Sequence, residues 1–357
     1  MADDAPRRDA ALVALDWGTT SFRGWLLDGA GRVLDEVRTA DGSLRTSEGA
    51  RTDAERAAAF AGTFARRCGP WLDASPALPV VCAGMAGSDH GWARAGYVDV
   101  PAGLDRLAHH LTAVPLPATD DASAVAGGIV HLVPGLRVPG ADPDVMRGEE
   151  VQLLGALAAA GDDPPAAVVL PGTHSKWVRL DGSRVAGFAT AMTGEVYALL
   201  LRDSILARLA DGAPGPTPSD AFDRGLDVEA AQGDDRGLLA LLFTARTLVQ
   251  AGRLAPPDVA DYLSGLLVGS EVRHALRATP AAGVAVCGSA ATAARYRRAL
   301  ERHGTRARTV AEDAAARGLW RVAVDAGLVA PAAPAAPAAP AAPAAPAAPA
   351  PILEDQT

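Results

Sequence analysis

A carboxylate, a glycine and two hydroxyls follow an apolar run in Leu15-Asp16-Trp17-Gly18-Thr19-Thr20-Ser21-Phe22-Arg23. A glycine lets the backbone approach a ligand closely. Amides and hydroxyls in such a turn can bond a phosphate, and a carboxylate can hold a hydrated Mg²⁺. Gly18, Thr19 and Thr20 are therefore phosphate-binding candidates, and Asp16 is a candidate metal ligand and catalytic carboxylate. Taken alone, Asp-x-Gly-Thr is also a common hairpin turn. The same logic returns in Leu170-Pro171-Gly172-Thr173-His174-Ser175-Lys176-Trp177, where Gly172 and Thr173 repeat the glycine-hydroxyl pair and His174 and Lys176 add potential positive charge. Two such turns in corresponding places of two halves are far more specific than one. They would clamp a polyphosphate from both sides of a cleft.

The surrounding pattern alternates strands and helices. Ala11–Leu15, Phe22–Leu27 and Arg32–Arg38 read as a three-stranded meander, Asp53–Cys68 as a helix stopped by Gly69-Pro70, and Pro79–Ala83 as a buried strand. After a loop-rich middle the pattern restarts. A helix at Glu149–Ala160 precedes strands at Ala166–Leu170, Lys176–Leu180 and Arg184–Ala189. Helices follow at Gly194–Ala210, at Arg236–Ala251 with a bend near Thr244, and at Asp258–Arg277. The chain then reads as a strand at Gly283–Cys287, a helix capped by Ser289, a short strand at Arg308–Val310 and a closing helix at Asp313–Ala326. This duplicated α/β layout predicts two similar domains, 9–140 and 141–329, with a cleft between them. From Pro331 to Pro349 proline recurs every third residue among alanines, so 330–357 is expected to be a disordered, polyproline-like tail.

Composition excludes several classes. The 357 residues carry a net charge of −9, which argues weakly against a nucleic-acid partner. No long apolar run suggests a membrane span, and the residues after Met1 do not resemble a secretory signal. Cys68, Cys82 and Cys287 lie far apart with no CxxC spacing, which fits a reducing cytoplasm rather than a disulfide framework or a zinc site. No GxGxxG opens the first βα unit, which disfavours a dinucleotide-binding dehydrogenase. The basic residues comprise 32 arginines and a single lysine, Lys176, and the lysine falls inside the second phosphate turn.

The paired turns resemble the actin, hexokinase and heat-shock-ATPase superfold, whose duplicated (ribonuclease H-like) domains each supply one phosphate hairpin. More narrowly, Asp16–Leu26, Ala83–Ser88, Gly91-Trp92, Val145–Glu150, Pro171–Trp177 and Met192–Glu195 resemble, in order, motifs of the 2-dehydro-3-deoxygalactonokinases. The resemblance runs from about residue 12 to 328 and implies ATP- and Mg²⁺-dependent transfer of a phosphoryl group to the 6-hydroxyl of 2-dehydro-3-deoxy-D-galactonate, a small sugar acid of galactonate breakdown. By analogy with related carbohydrate kinases, Glu149 is the first choice as catalytic base and Glu150 the second. Arg147 and Arg23 are placed by motif to read the acid's carboxylate. Gly148 belongs to the same acceptor step. Gly84, Met85 and Ser88, with the ring of Trp92, would face the polyol chain. Gly288 and Ser289 resemble the family's adenosine-contact turn. Two rivals remain: a kinase of the same fold acting on another sugar or sugar acid, and a nucleotide-dependent ATPase without a carbohydrate acceptor. The sequence leaves the oligomeric state open.

Overall fold

The computed structural model describes residues 9–116, 128–161, 163–212, 215–279, 283–310 and 314–330. The expected Pro-Ala-Ala tail from residue 331 lies outside the described residues.

Apolar residues from Val13 to Trp17, broken only by Asp16, make β1 (Ala10–Trp17) a strand buried on both faces. β2 (Phe22–Asp28) and β3 (Val33–Thr39) fold back beside it, and Gly18 N–H donates to the Ser21 carbonyl at 2.8 Å to close the turn between β1 and β2. After α1 (Ser43–Thr46) and α2 (Asp53–Ala74) the chain forms β4 (Val80–Gly84), β5 (Tyr97–Asp99), β6 (Ala102–Gly103), β7 (Thr112–Pro115), β8 (Ile129–Leu132), β9 (Gly135–Val138) and β10 (Asp144–Met146). The second half runs α3 (Glu149–Ala160), β11 (Ala167–Leu170), β12 (Ser175–Asp181), β13 (Arg184–Ala191), α4 (Thr193–Asp203), α5 (Asp220–Arg236), α6 (Leu238–Leu242), α7 (Thr244–Gln250), α8 (Val259–Ala278), β14 (Val284–Cys287), α9 (Ala290–Arg302), β15 (Ala307–Val310) and α10 (Ala314–Asp325).

The first sheet has the order β3-β2-β1-β4-β8-β7 and the second β15-β14-β11-β12-β13-β6. In each, a three-strand antiparallel meander is followed by two strands added parallel to its first strand: β4 and β8 beside β1, β14 and β15 beside β11. The duplication expected from the two turns is thus a duplication of strand order. β10, β9 and β5 form a small third sheet, and β6, from the first half of the chain, completes the edge of the second sheet by pairing with β13.

One apolar cluster runs continuously from the inner face of the first sheet through α3 and α10 to the second sheet. Where α3 crosses α10 there is no room for side chains. A Cβ on Gly155 would stand 1.8 Å from the Ala314 carbonyl oxygen, and one on Gly318 would stand 1.8 Å from that of Val151. The outer face of the first sheet packs Trp17, Phe22, Phe60, Phe64 and Trp92 together.

Several elements differ from the sequence reading. α2 does not stop at Gly69-Pro70 but continues to Ala74. Pro70 removes one helix bond, yet burial of Trp71 and Leu72, and a 2.9 Å bond from Trp71 Nε1 to Asp35, outweigh it. α4 ends at Asp203 rather than Ala210, and the Arg236–Ala251 helix is two short helices broken at Phe243. α5 was not anticipated: it is rich in acids and lacks a broad apolar stripe, and it packs on α8 through Gly225 and Gly265. The middle read as loop holds the six short strands β5–β10. Among the described residues no helix is long and apolar enough to cross a membrane.

Candidate active site

The two turns face each other across a cleft of about 500 Å³, walled on one side by Asp16 and Gly18–Ser21 and on the other by Pro171–His174 and Lys176. β10 and the start of α3 bring Arg147, Gly148 and Glu149 to the same cleft, and the turn after β4 brings Gly84, Met85 and Ser88. Two glycines make this convergence possible. Gly84 has φ +89, and a Cβ there would meet the Trp17 carbonyl oxygen at 2.6 Å. Gly148 has φ +104 and packs against Gly84, so the loop before α3 can lie directly over the floor of the first turn. Gly194, at the start of α4, likewise lets that helix sit against the Gly172 carbonyl.

Asp16 is buried at the cleft floor and forms an ion pair with Arg23 through Oδ2. Burial pushes the Asp16 carboxyl up from its ordinary range, against the charge and hydrogen bond of Arg23. Arg23 also lies against a recess of about 250 Å³ that holds Gly288 and Ser289, so its guanidinium stands on the side of the Gly-Ser turn. Ser289 caps α9, accepting from Thr292 N–H at 3.3 Å as the sequence suggested.

Glu149 and Glu150 have different surroundings. Glu149 lines the cleft, and its Oε2 accepts from the Arg147 N–H at 3.1 Å. Burial raises its pKa, and the charge of Lys176 opposes that rise. Glu150 is wholly buried away from the cleft lining. Its Oε2 accepts from Gly148 N–H at 2.7 Å, and its Oε1 has no partner among the described residues. Burial, and then the neighbouring Glu149 charge, push the Glu150 carboxyl up to about 8. The unfolded chain releases this proton near 4.5 and the folded chain near 8, so charging Glu150 lowers stability progressively as pH rises between those values. Glu150→Gln is therefore expected to keep turnover and to remove a loss of up to ~1.4 kcal/mol per pH unit over that window. Urea unfolding at a series of pH values checks this. An unchanged pH slope would show that Glu150 is not the titrating group.

Lys176 is 5% exposed and its ammonium is strapped between elements. Nζ donates to the Val145 carbonyl at 3.1 Å and to Thr190 Oγ1 at 2.9 Å, and Thr190 in turn donates to Asp144 at 2.7 Å. The lone lysine thus ties the second turn to the strand that delivers Arg147 and Glu149, a link that spacing alone did not reveal. A planar guanidinium is longer and cannot reproduce this compact arrangement. Lys176→Arg is expected to lower kcat/KM by about tenfold or more through misplaced groups. Steady-state kinetics beside a melting curve would check it, and unchanged kinetics would remove the lysine from the site's design.

Arg147 is half-buried. Its Nη2 donates to the Ala95 and Gly96 carbonyls at 2.8 and 3.2 Å, its guanidinium lies 4.3 Å from the Tyr97 ring centroid, and its buried Nε and Nη1 have no hydrogen-bond partner among the described residues. Gly87 makes space for it, since a Cβ there would stand 2.8 Å from Nη1. His174 Nε2 and Glu195 share a 2.6 Å hydrogen bond at the rim of the second turn.

Trp92 corrects an expectation. Its ring is 5% exposed and stacks on Phe60 at 6.1 Å within the aromatic cluster, outside the cleft lining, because that core takes the large apolar ring. The aromatic residue that does line the cleft is Tyr97, in the stretch read as loop, where no periodic signal marked it. Also missed was a pocket of about 570 Å³ that continues from the cleft past Pro171 and Gly172, between Tyr197, Leu267, Arg295 and Tyr296. Among the described residues no three His, Cys, Asp or Glu stand together as a metal cage.

A model of the 2-keto-3-deoxy-galactonokinase family matches residues 16–322. The 2-dehydro-3-deoxygalactonokinase of Escherichia coli (strain K12) is 36% identical over 320 residues, covering 86% of this chain and 94% of that protein. A Rhizobium meliloti (strain 1021) protein assigned the same activity is 37% identical over 323 residues, covering 86% of this chain and 97% of the relative. The crystal structure of a Sinorhizobium meliloti protein, also assigned as a 2-dehydro-3-deoxygalactonokinase, superposes with a TM-score of 0.74 at 35% identity, over 87% of this chain and 98% of that one. With the paired turns, the Arg-Gly-Glu step and these relatives in agreement, the chain belongs to the 2-keto-3-deoxy-galactonokinase family.

Proposed function

We propose that the chain transfers the γ-phosphoryl group of ATP to the 6-hydroxyl of 2-dehydro-3-deoxy-D-galactonate. The observation that carries this reading is the meeting of two phosphate turns, the Glu149 carboxylate and Arg147 in one cleft. The names of the relatives support the acceptor. In this reading 9–140 and 141–329 act as two actin-like units that close on the ligands and exclude water. The three buried, unpaired cysteines support a reducing cytoplasmic setting.

Phosphoryl transfer is catalysed mainly by positioning and charge stabilisation. The amides and hydroxyls of Gly18–Thr20 and of Gly172-Thr173 hold the phosphates, with His174 and Lys176 adding positive charge at the second turn. The pocket of about 570 Å³ beside Gly172 takes the adenosine, and Gly288 and Ser289 flank its path from the neighbouring recess. Glu149 accepts the proton of the attacking hydroxyl. Burial raises the basicity of its carboxylate, which suits that task. The place of Arg147 in the cleft lining supports it as the donor to the acid's carboxylate. Arg23, held by Asp16 and bordering the Gly288-Ser289 recess, is assigned to the nucleotide rather than to the acid's carboxylate, which the motif also offers it.

Mg²⁺ fits the donor set, because it is held by one or two carboxylates together with phosphates and waters rather than by a protein cage. Asp16 would hold it, since the Arg23 bond engages Oδ2 and leaves Oδ1. When bound it would neutralise charge on the phosphate oxygens.

The test is ADP release measured side by side on 2-dehydro-3-deoxy-D-galactonate, its gluconate-derived epimer and neutral sugars. Acceptor-dependent release that is fastest on the galactonate compound is expected. Best activity on a neutral sugar would overturn the carboxylate clamp. Release indifferent to any acceptor would overturn the kinase reading.

A further inference from the structure

Glu271 is a buried carboxylate whose surroundings touch both the second phosphate turn and the pocket beyond it. It lies on α8, where every residue from Val259 to Val272 is buried, and no cation pairs with it among the described residues. An unpaired buried charge is costly unless hydrogen bonds satisfy it. Trp177 Nε1 donates to Oε1 at 2.7 Å, and the Tyr296 hydroxyl donates to Oε2 at 2.7 Å. The Ser175 hydroxyl stands 2.8 Å from the same Tyr296 hydroxyl, and the side chains of Ser175 and Thr193 both help to stabilise the carboxylate.

These partners come from three separate elements. Ser175 and Trp177 flank Lys176 on β12, directly after the turn Gly172-Thr173-His174. Thr193 starts α4, whose next residue, Gly194, rests on the Gly172 carbonyl. Tyr296 on α9 is a wall of the pocket of about 570 Å³. Alternation along β12 puts Ser175 and Trp177 on the face opposite Lys176. The strand is therefore held from the cleft side by the lysine and from the helix side by the carboxylate.

We propose that Glu271 is a positioning residue for the nucleotide, fixing the second phosphate turn and the wall of the adjoining pocket in one geometry. Only a group that accepts at both oxygens and donates at neither can serve these converging donors. A glutamine would turn an N–H₂ toward one of them. The proposal rests on the nucleotide reading of the cleft and deepens it. Its expected signature is weighted to the nucleotide, because Arg147 and Glu149 reach the cleft on other elements and Lys176, on the opposite face of β12, still links that strand to β10.

The experiment compares wild type, Glu271→Gln and Ser175→Ala by ATP binding in calorimetry, by KM for ATP and for the sugar acid, and by melting temperature. In Glu271→Gln, ATP affinity is expected to fall about tenfold or more, with the acceptor KM within about twofold. Ser175→Ala, which removes one hydroxyl of this network and leaves the Trp177 and Tyr296 bonds to the carboxyl, is expected to fall in the same direction by a smaller factor. Folded Glu271→Gln with unchanged ATP affinity would overturn the proposal, as would equal losses for ATP and acceptor. Should Glu271→Gln fail to fold, unchanged ATP affinity in Ser175→Ala would overturn it instead. If wild type binds no ATP, the nucleotide reading itself fails, and that outcome is visible before any variant is considered.

Discussion

Glu149→Gln is expected to lower turnover by about 10²- to 10⁴-fold while nucleotide affinity stays within a few-fold. The side chain lines the cleft at the first residue of α3, and its bond from the Arg147 N–H survives in an amide, so the fold and the phosphate turns are left intact. What disappears is a group able to take the hydroxyl proton. The pH profile supplies a second signature. Burial raises the Glu149 pKa above the ordinary 4.5 despite the opposing Lys176 charge. Activity carried by its ionised form therefore rises with pH along an acidic limb lying above 4.5, and the variant should lose that limb. Near-normal turnover would sink the assignment. A turnover loss with the limb intact would move the base elsewhere.

Gly155→Val is expected to destabilise the protein by roughly 3 kcal/mol or more, a large share of the ~5–15 kcal/mol that holds a typical domain folded. The cause is geometric. The first atom of any side chain there would lie 1.8 Å from the Ala314 carbonyl oxygen, so α3 and α10 would have to separate. Gly155→Ala makes the sharper comparison. Helix propensity alone predicts a gain of about 1 kcal/mol over glycine, whereas the close crossing predicts a loss. Urea unfolding decides between them by sign. Since α3 begins with Glu149, a separated crossing should also displace the carboxylate and lower kcat in whatever fraction folds.

The legible part of this molecule was the part written in short local signals. Both glycine-hydroxyl turns, the strands around them and the Ser289 cap could be read because glycine, hydroxyl and apolar residues recur at fixed spacing. The same signals recur in two halves, which made the repeated strand order foreseeable. What escaped reading depends on partners distant in the chain. α5 is polar along most of its length, and its helix is secured by backbone contact with α8 at Gly225 and Gly265. α2 outruns Pro70 because Trp71 and Leu72 find a core. Trp92 has the composition of a sugar platform, but the aromatic cluster around Phe60 claims its ring. Lys176 could be located by motif, and Thr190 faces it across the β12–β13 hairpin, whereas its acceptor Val145 lies on β10 in another sheet that no spacing rule joins to it.

β6, only Ala102 and Gly103, has a consequence for how the chain can be cut. It occupies part of the outer edge of β13. A fragment beginning at residue 141 would carry five strands of the second sheet and lose this cover, along with the rest of the first half on which α10 packs. Unpaired N–H and C=O groups at such an edge are a template for pairing with another chain. A separately expressed second half should therefore self-associate through β13, and adding back a peptide that spans Ala102 and Gly103 should compete with that association.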